Sequence, residues 1–584
     1  MLKKIVTVLL ALCMLCGAFP VSAEADNGLL SPFITSVDSL ETATYPMRWS
    51  LETDGSRDIE LAFVNGISDV PFVTAETAAE IVTVLVTEGY RRAYVQVEAS
   101  LLDESLPVKV LERENGHYAL LNFDDATITF DDFDAFFQMN GNANPLDLTE
   151  TAPVFDQQKD PIKRTPFIYR SGGPHKIDLA AYGIPMFRFE GNGYLPLQSV
   201  ADIFGNRFEF VLRFNGEGVY VMDKFDGELN EKYHAAPRRE NSEALTRLNY
   251  ACLCFTLDHN YGLMEEHDIR SFNELFLSTG LTEYLLNGDP GVAYAGIARL
   301  IGHYLADGHS ALGDISWNTE QAGDDITILA ESFTSAGQSM FATFYYATQR
   351  ALFFPEGAPA YQEIGDTAII TFDAFKMDTS RDYYAIEPTA NKDDTIELIL
   401  YANGQIRREG SPIKNIMIDL SNNGGGAFDA GASLIAWMTG NACINIRNPH
   451  TGGIGSTNFM FDANRDHVFD RQDFLLDTLT DEYRLYCLIS PSSFSCGNLV
   501  PYFLNESNRV TLIGRRTSGG TCTIGTLSTA DGNVFRTSSA YAINTGINGS
   551  FTNVDSGVAP HVYIDKTSTL YDREALVELI HGLK

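Results

Sequence analysis

The chain has 584 residues, with 41 Lys and Arg against 77 Asp and Glu, and its formal net charge is −36. At about 100–200 residues per domain, this length predicts three or four folding units and excludes a single small module. Hydrophobic residues make up 45% of the chain and charged residues 20%, a composition that excludes wholesale disorder. A strongly negative chain is a poor counterion for phosphate, so nucleic acid is not an expected partner.

The first 23 residues have the pattern of a secretory signal peptide. A basic start at 1–4 and an apolar stretch at 5–19 precede a small-residue cleavage site that ends at Ala23. Large residues precede both cysteines of this segment, so export without a lipid anchor is expected. No later segment is long and apolar enough to predict a membrane span. The sequence therefore predicts a secreted or cell-envelope protein.

Six cysteines remain after the predicted cleavage, too few for a disulfide scaffold in a chain of this length. Their spacing is irregular and indicates no metal site. Buried structural thiols are the favoured interpretation, and one or two bridges stay open. The six are Cys252, Cys254, Cys443, Cys487, Cys496 and Cys522.

The N-terminal part is predicted to hold two small α+β modules, at 24–145 and 166–238, joined by a proline-containing linker at 146–165. Residues 64–73 and 183–197 follow a similar pattern before a helix, which indicates a degenerate internal repeat. Both stretches resemble the stalk-like repeats, similar to the N-terminal domain of copper amine oxidases, of exported bacterial proteins. That resemblance implies a spacer or a binding module.

The pattern changes at about residue 239. Helical periodicity predicts a helical subdomain over 239–360, and alternating strand and helix patterns predict an α/β core over 361–584. The helical stretches are Ser242 to Leu257, Ser271 to Leu286 and Val292 to Leu305.

A glycine run follows a predicted buried strand of the core. The apolar segment 415–420 leads into 421–426, which ends in three glycines before a helix. Such a turn leaves backbone N–H groups bare at a helix N-terminus, where an anion or an oxyanion can bind. Taken alone, the glycines are more typical of an α/β turn that carries glycine for steric reasons.

A serine occupies the same kind of position after another predicted strand, 485–489. Ser495 stands where strand turns into helix, so its hydroxyl is exposed at the carboxyl edge of the sheet beside the positive end of a helix dipole. This position suits a nucleophile. The alternative is a helix cap in which the Ser495 side chain accepts from the N–H of Asn498.

A histidine that could serve as the base closes the last apolar helix of the helical subdomain. Asp307-Gly308-His309-Ser310 forms a short polar turn that can present the His309 imidazole. The alternative is a histidine that only interacts with the helix dipole.

Taken together and in chain order, these motifs resemble the C-terminal processing (tail-specific) serine protease family over residues 245–584. The quoted motifs are Asp-Gly-His-Ser at 307–310, Asp-Leu-Ser-Asn-Asn-Gly-Gly-Gly at 419–426, Ser-Phe-Ser-Cys-Gly at 493–497, Gly-Arg-Arg-Thr-Ser-Gly-Gly at 514–520 and Val-Asp-Ser-Gly-Val-Ala-Pro at 554–560. The resemblance implies a crotonase-like α/β spiral core preceded by a helical subdomain.

The resemblance also implies roles for individual residues. Ser495 matches the nucleophile, and the amides of Gly425, Gly426 and Cys496 match the oxyanion hole. In much of the family a lysine at the position of Gly520 acts as the base. Its absence is similar to the tricorn-type branch, in which a histidine takes the proton.

The tricorn-type resemblance implies His309 as the base. The third catalytic member would be Asp555, an aspartate where that branch has a glutamate. A PDZ module, frequent in the family, is not expected, because the interval between His309 and Tyr361 is too short for one. Substrate capture is then assigned to the N-terminal repeats or to the segment Thr327 to Phe354.

A separate acidic loop at 462–473 has the spacing of an EF-hand-like calcium site, as in dockerin loops. His467 replaces the usual turn glycine, and an aspartate replaces the usual bidentate glutamate. A structural calcium ion is the favoured interpretation over a solvated acidic loop, and no cofactor is expected for catalysis. The candidate ligands are Asp462, Asn464, Asp466, Val468, Asp470 and Asp473.

The sequence thus favours a secreted serine endopeptidase that acts on a protein or peptide through an acyl-enzyme. The alternative is a catalytically inactive relative that binds peptide or cell-wall polymer outside the cell. A phosphate-binding turn at Asn423 to Gly426 is excluded, because no Lys-Ser/Thr follows the glycines.

Overall fold

The structure is a computed structural model that describes residues 28–91, 95–101, 107–138, 146, 155–225, 227–319, 343–440, 442–476, 483–544 and 554–583. The predicted signal peptide, residues 147–154 of the predicted linker and much of the Thr327 to Phe354 segment lie outside these residues. Within them, no helix combines the length and apolar character needed to cross a bilayer.

The C-terminal half is built on a six-stranded sheet. Five neighbouring strands run parallel, and the first strand pairs antiparallel with the second. In spatial order the strands are Tyr361–Ile364, Thr367–Thr371, Asn415–Asp419, Arg484–Ile489, Val510–Gly514 and Val562–Tyr563. The middle residues of the four longer parallel strands are mostly apolar, because the sheet is covered on both faces.

Alternate residues of these strands enter two different cores, as the two-residue period of a strand requires. Ile416 and Ile418 pack with three helices on one face, whereas Met417 packs with the C-terminal helix on the other. The three helices are Thr395–Ile406, Phe428–Thr439 and Cys496–Glu506, and the C-terminal helix is Arg573–Gly582. The mixed α/β core predicted for residues 361–584 is therefore present.

The two predicted N-terminal modules are not separate, and this prediction was wrong. Strands from 40–74 and from 187–222 pair in one seven-stranded sheet, ordered Phe187–Phe189, Asn192–Pro196, Phe72–Thr74, Asp54–Val64, Leu40–Ser50, Val219–Met222 and Arg213–Phe214. A second, five-stranded sheet consists of Val97–Leu101, Val108–Arg113, Tyr118–Asn122, Thr127–Phe130 and His175–Asp178. The similar local patterns reflect strands that share a core, since side chains from both stretches belong to one hydrophobic cluster.

The end of the predicted linker is a strand. Ile162–Arg170 pairs antiparallel with Ile454–Phe461, in a four-stranded sheet completed by Ala442–Arg447 and Ala542–Asn544. The N-terminal part therefore docks on the C-terminal part through backbone pairing. Asn448 adds a side-chain contact between them, donating to the buried carboxylate of Asp134 at 2.8 Å.

Helices of the N-terminal part are Ala75–Val84, Phe133–Phe136, Leu197–Val200, Asn206–Phe208 and Glu228–His234. Helices of the following subdomain lie where periodicity predicts them, at Glu243–Asn260, Phe272–Thr279, Thr282–Leu285 and Pro290–Arg299, with a π-helical extension at Leu300–Leu305 and a further helix at 343–353. Ser242 caps the longest of these, accepting from the Leu245 N–H at 3.0 Å.

A small three-stranded sheet links the end of this subdomain to the core, because Ala311–Leu312 pairs with Val534–Ser538, which also pairs with Ile524–Ser528. All six described cysteines are free thiols.

Candidate active site

The candidate site lies at the carboxyl edge of the parallel sheet. In open α/β sheets this edge is where ligands bind, because loops from neighbouring strands meet there. The Phe494 N–H donates to the Asn423 carbonyl at 3.0 Å, and the Ser495 N–H donates to the Gly519 carbonyl at 2.9 Å. The serine loop, the glycine run and the 514–520 loop are thus joined around Ser495.

Ser495 has an unusual backbone conformation. Its φ is 55° and its ψ is −123°, at the residue that precedes the helix Cys496–Glu506. Non-glycine residues pay a conformational cost in this region and are held there by their surroundings, most often at functional sites. Its side chain makes no capping hydrogen bond; instead the N–H groups of Asn498 and Leu499 donate to the Ser495 carbonyl, at 2.9 and 2.8 Å. The helix-cap alternative for Ser495 is therefore wrong.

The glycine run approaches this serine closely. A Cβ on Gly425 would lie 2.6 Å from the Ser495 Cβ and 3.0 Å from its Oγ, and Gly425 has a φ of 104°. Gly426, with a φ of 128°, passes against the backbone of Phe375, whose carbonyl would lie 2.2 Å from a Cβ. Only glycine fits at either position, so the run is required by close approach as well as by conformation.

The amides of the run have different partners. The Gly425 N–H donates to Asn423 Oδ1 at 2.9 Å, so it is not directed at a ligand as the prediction for this residue requires. The Gly426 N–H has no acceptor within the described residues. Cys496 begins the helix that follows Ser495, and its Sγ lies 3.1 Å from the Gly426 carbonyl oxygen. Gly426 and Cys496 therefore flank the serine, and Cys496 lies at the N-terminal, positive end of the helix dipole.

His309 is held in a tight turn that Asp307 organises. The Asp307 carboxylate accepts from the backbone N–H groups of His309 and Ser310, at 3.0 and 2.8 Å. It also accepts from three hydroxyls, those of Ser310, Tyr261 and Ser538. Five hydrogen bonds fix the direction in which this turn presents the His309 side chain, which is 7% exposed.

The Phe494 ring lies between the histidine turn and the serine loop. Its centroid is 4.9 Å from that of the His309 ring, in an edge-to-face contact. A Cβ on Gly308 would lie 2.4 Å from Phe494 Cζ, and a Cβ on Gly520 would lie 2.5 Å from its Cε2. The ring therefore fills the space into which a side chain at 520 would extend, so a lysine fits there only if Phe494 shifts.

The His309 ring is surrounded by protein and has an unpaired nitrogen. Nδ1 is buried without a hydrogen-bond partner, and within the described residues no hydrogen bond joins this ring to Ser495. Burial lowers the pKa of His309, against the opposing effect of the negative charges of Asp307 and Asp555. A neutral imidazole, the form that can accept a proton, is therefore favoured.

Asp555 lies near His309 but is directed at the 520–522 loop. One carboxylate oxygen accepts from the N–H groups of Gly520 and Thr521, and the other lies 3.5 Å from Cys522 Sγ. The charge of Asp555 reaches His309, as its effect on the histidine's pKa shows. Asp555 thus supports the loop whose Gly519 carbonyl holds the Ser495 backbone.

The predicted calcium loop is closed by its own hydrogen bonds. Asp462 accepts from the N–H groups of Asp466 and His467, and Asp473 accepts from those of Ala463, Asn464 and Asp470. His467 has a φ of 63°, the left-handed conformation expected of the glycine it replaces. Across the described parts of the chain, no group of three or more His, Cys, Asp or Glu side chains is arranged to hold a metal ion. Calcium at Asp462, Asn464, Asp466, Val468, Asp470 and Asp473 therefore stays a prediction.

Three residues of the site were missed by sequence reasoning: Asp307, Asn423 and Phe494. The role of Asp307 could have been predicted from the sequence, because an aspartate in a turn commonly accepts hydrogen bonds from the backbone N–H groups two or three residues later. The wedge formed by Phe494 has no such local pattern, since its contacts with Gly308 and Gly520 join distant parts of the chain.

The part of the chain that holds the serine loop and the glycine run matches a known peptidase family. Residues 367–564 match the family model described as Peptidase family S41. A search of curated proteins returned no match. Similar solved structures include a candidate peptidase from Parabacteroides merdae ATCC 43184, which is 15% identical, with a TM-score of 0.41, over 59% of this chain and 97% of its own.

Two further solved structures are also similar to this chain. The photosystem II D1 C-terminal processing protease is 20% identical, with a TM-score of 0.25, over 37% of this chain and 51% of its own. Mature CPAF is 13% identical, with a TM-score of 0.24, over 37% of this chain and 52% of its own. The matched residues 367–564 include Ser495, the glycine run and Asp555. Residues 367–564 therefore match the family predicted from the sequence, peptidase family S41, and the enzyme class that this match indicates is a serine-type peptidase.

Proposed function

We propose that this protein is a secreted endopeptidase that cleaves polypeptides through an acyl-enzyme on Ser495, with His309 as the general base. The observation that carries the proposal is the conformation of Ser495, held at positive φ between the glycine run and the 514–520 loop with its hydroxyl uncommitted to a helix cap. Export rests on the signal-peptide pattern of residues 1–23. The parallel sheet, covered on both faces, supports the crotonase-like core that the resemblance implies.

The first step is proton transfer from the Ser495 hydroxyl to His309 as Oγ attacks the peptide carbonyl. The His309 turn contacts the serine loop through Phe494, and burial favours the neutral imidazole that accepts the proton. Hydrogen bonds between nucleophile and base commonly tighten only when substrate binds. The protonated His309 then donates to the leaving amine, and a water molecule hydrolyses the acyl-enzyme.

The oxyanion of the tetrahedral intermediate is assigned to the Gly426 and Cys496 amides. Both belong to residues that flank Ser495, and Cys496 lies at the positive end of the helix dipole. The Gly425 N–H can join them only if it leaves Asn423 Oδ1. Asp555 is proposed as the third member through its charge, which favours protonated His309 in the transition state.

Labelling with a fluorophosphonate probe tests the nucleophile. We expect the purified protein to be labelled stoichiometrically and Ser495→Ala to stay unlabelled, because the probe reacts with an activated serine. Ser518→Ala is the matched control, since this serine lies in the adjacent loop and its hydroxyl donates to the Pro491 carbonyl.

An unlabelled wild-type protein would overturn the peptidase mechanism. It would favour the alternative of an inactive relative that binds peptide or cell-wall polymer in the same groove. The absence of the family's lysine at position 520 supports this alternative, and the Phe494 ring occupies the space that a side chain there would need.

We also propose that calcium binds the loop 462–473 as a structural ion. The positive φ of His467 and the left-handed Arg465 bend the loop in the manner the ligand spacing requires. We expect 1 mM calcium chloride to raise the Tm by several degrees relative to EGTA, because an ion that binds only the folded state stabilises it. Asp470→Ala should reduce this increase, and a Tm that EGTA leaves unchanged would contradict the proposal.

A further inference from the structure

Exposed large apolar side chains are concentrated on one helix beside the site. Of the seven within the described residues, four lie on the helix 343–353 and a fifth, Tyr563, is adjacent to it. Singly exposed apolar residues need no explanation, but a contiguous set usually marks a binding surface. The exposed fractions of this apolar patch are 70% for Phe344, 39% for Tyr345, 72% for Leu352, 40% for Phe353 and 65% for Tyr563.

The patch occupies one face of its helix. Phe344 and Leu352 are eight residues apart, Tyr345 and Phe353 likewise, and at 3.6 residues per turn all four fall within half of the helix circumference. Tyr346 falls about 20° beyond Phe353 around the helix and is buried against the core, so it bounds the patch on that side. Arg515 donates to the Tyr346 hydroxyl at 3.0 Å and lies 6.0 Å from the Tyr563 ring centroid, which places Tyr563 beside the helix.

The helix is tied to the catalytic loops. The Arg350 guanidinium donates to both carboxylate oxygens of Asp373, one of them at 2.6 Å. The Asp373 carbonyl accepts from the Gly424 N–H at 3.0 Å, and the next residue, Gly425, lies against Ser495. A short chain of contacts therefore runs from the patch helix through the glycine run to the nucleophile.

We propose that the apolar patch binds an apolar stretch of an unfolded polypeptide substrate whose chain continues to Ser495. The inference rests on the proposed function and specifies its substrate class. Two other occupants are disfavoured by charge, because a chain with a net charge of −36 repels both a second copy and an anionic lipid surface. An apolar peptide segment is not repelled by this charge. Two or three aromatic contacts buried on binding would supply binding energy at a distance from the scissile bond.

Binding is measured in the Ser495→Ala background, so that the result does not depend on turnover. The probe is a fluorescently labelled synthetic peptide with an apolar segment and no net charge, and the readout is anisotropy. The patch variant is Phe344→Ser with Leu352→Ser. The control variant is Ile524→Ser, which removes an apolar side chain that is also exposed, at 50%, elsewhere on the molecule.

We expect the Kd to rise at least about tenfold for the patch variant and less than about twofold for the control. Equal Kd values for the two variants would overturn the inference. So would a change in oligomeric mass confined to the patch variant, which would identify a second copy as the occupant. Binding of phosphatidylcholine vesicles that the patch variant loses would also overturn it, in favour of a lipid surface.

Fluorophosphonate labelling separates this inference from the proposed function. With Ser495 restored, we expect the patch variant to be labelled as fast as the wild type, because none of its substitutions touches the catalytic loops. If the wild type is labelled but the patch variant binds substrate as tightly as the protein with the intact patch, the proposed peptidase function stands and the patch proposal is wrong. Since both patch residues are exposed, we expect an unchanged Tm, and this measurement controls for misfolding.

Discussion

Alanine at Ser495, at His309 or at both positions is expected to lower kcat by about the same factor, on the order of a millionfold. A nucleophile without its base, or a base without its nucleophile, contributes little, so the second substitution adds almost nothing to the first. The measurement is hydrolysis of an unfolded protein substrate under single-turnover conditions. His303→Ala is the matched control, because this histidine is exposed and lies six residues before His309.

Two outcomes would contradict this prediction. Full activity of His309→Ala would remove the histidine from the mechanism and leave Ser495 without a base. Losses that multiply in the double variant would show that the two residues act independently. Either outcome is independent of folding, provided that the variants keep the circular dichroism spectrum and the Tm of the wild type.

The pH profile extends the same prediction. A base acts only when neutral, so kcat/KM falls as the pH drops through the pKa of His309. Burial lowers this pKa, so we expect the acid limb to lie below the ordinary histidine value of about 6.5. Asp555→Asn removes a negative charge that raises the pKa, and it should move the limb to still lower pH. A limb that stays in place would exclude Asp555 from the catalytic set.

Gly425→Ala is expected to lower kcat by roughly a hundredfold to a thousandfold, a loss as large as that of an oxyanion donor, because the substitution displaces the nucleophile. The new methyl group would lie 2.6 Å from the Ser495 Cβ and 3.0 Å from the Phe494 carbonyl oxygen, and a φ of 104° is strained for any residue with a Cβ. The serine would have to move away from the glycine run or the run would have to move away from the serine.

Gly424→Ala is the matched control for this substitution. A Cβ at Gly424 meets no atom within 4 Å, and its φ lies outside the left-handed region. The two variants add the same methyl group at neighbouring positions, so a difference in kcat between them reports the contact with Ser495. Equal activities would show that the glycine run does not shape the nucleophile's surroundings.

Much of the active site could be predicted from local sequence. Ser495 stands directly after a buried strand and before a helix, and the glycines of 424–426 stand in the same relation to the neighbouring strand. Parallel strands bring their carboxyl ends to one edge, so residues at these positions meet whatever the details of packing. The histidine turn was recognisable for a similar reason, because Asp307 and Ser310 complete a local hydrogen-bonded motif.

The N-terminal organisation could not be predicted in the same way. Its strands carry the correct two-residue period, but periodicity does not identify the partner of a strand. Val219–Met222 pairs in parallel with Leu40–Ser50, and Ile162–Arg170 pairs with a strand almost three hundred residues later in the chain. Two apparent modules and a linker are therefore parts of shared sheets.

The sequence by itself predicted the peptidase family, a candidate nucleophile and a candidate base, because each belongs to a short motif that can be recognised without the fold. The tertiary structure alone decided what surrounds them. It placed the Phe494 ring between Gly308 and Gly520, engaged the Gly425 N–H with Asn423, and exposed an apolar helix face beside the catalytic loops. These features depend on contacts between residues far apart in the chain, which packing sets and no local pattern encodes.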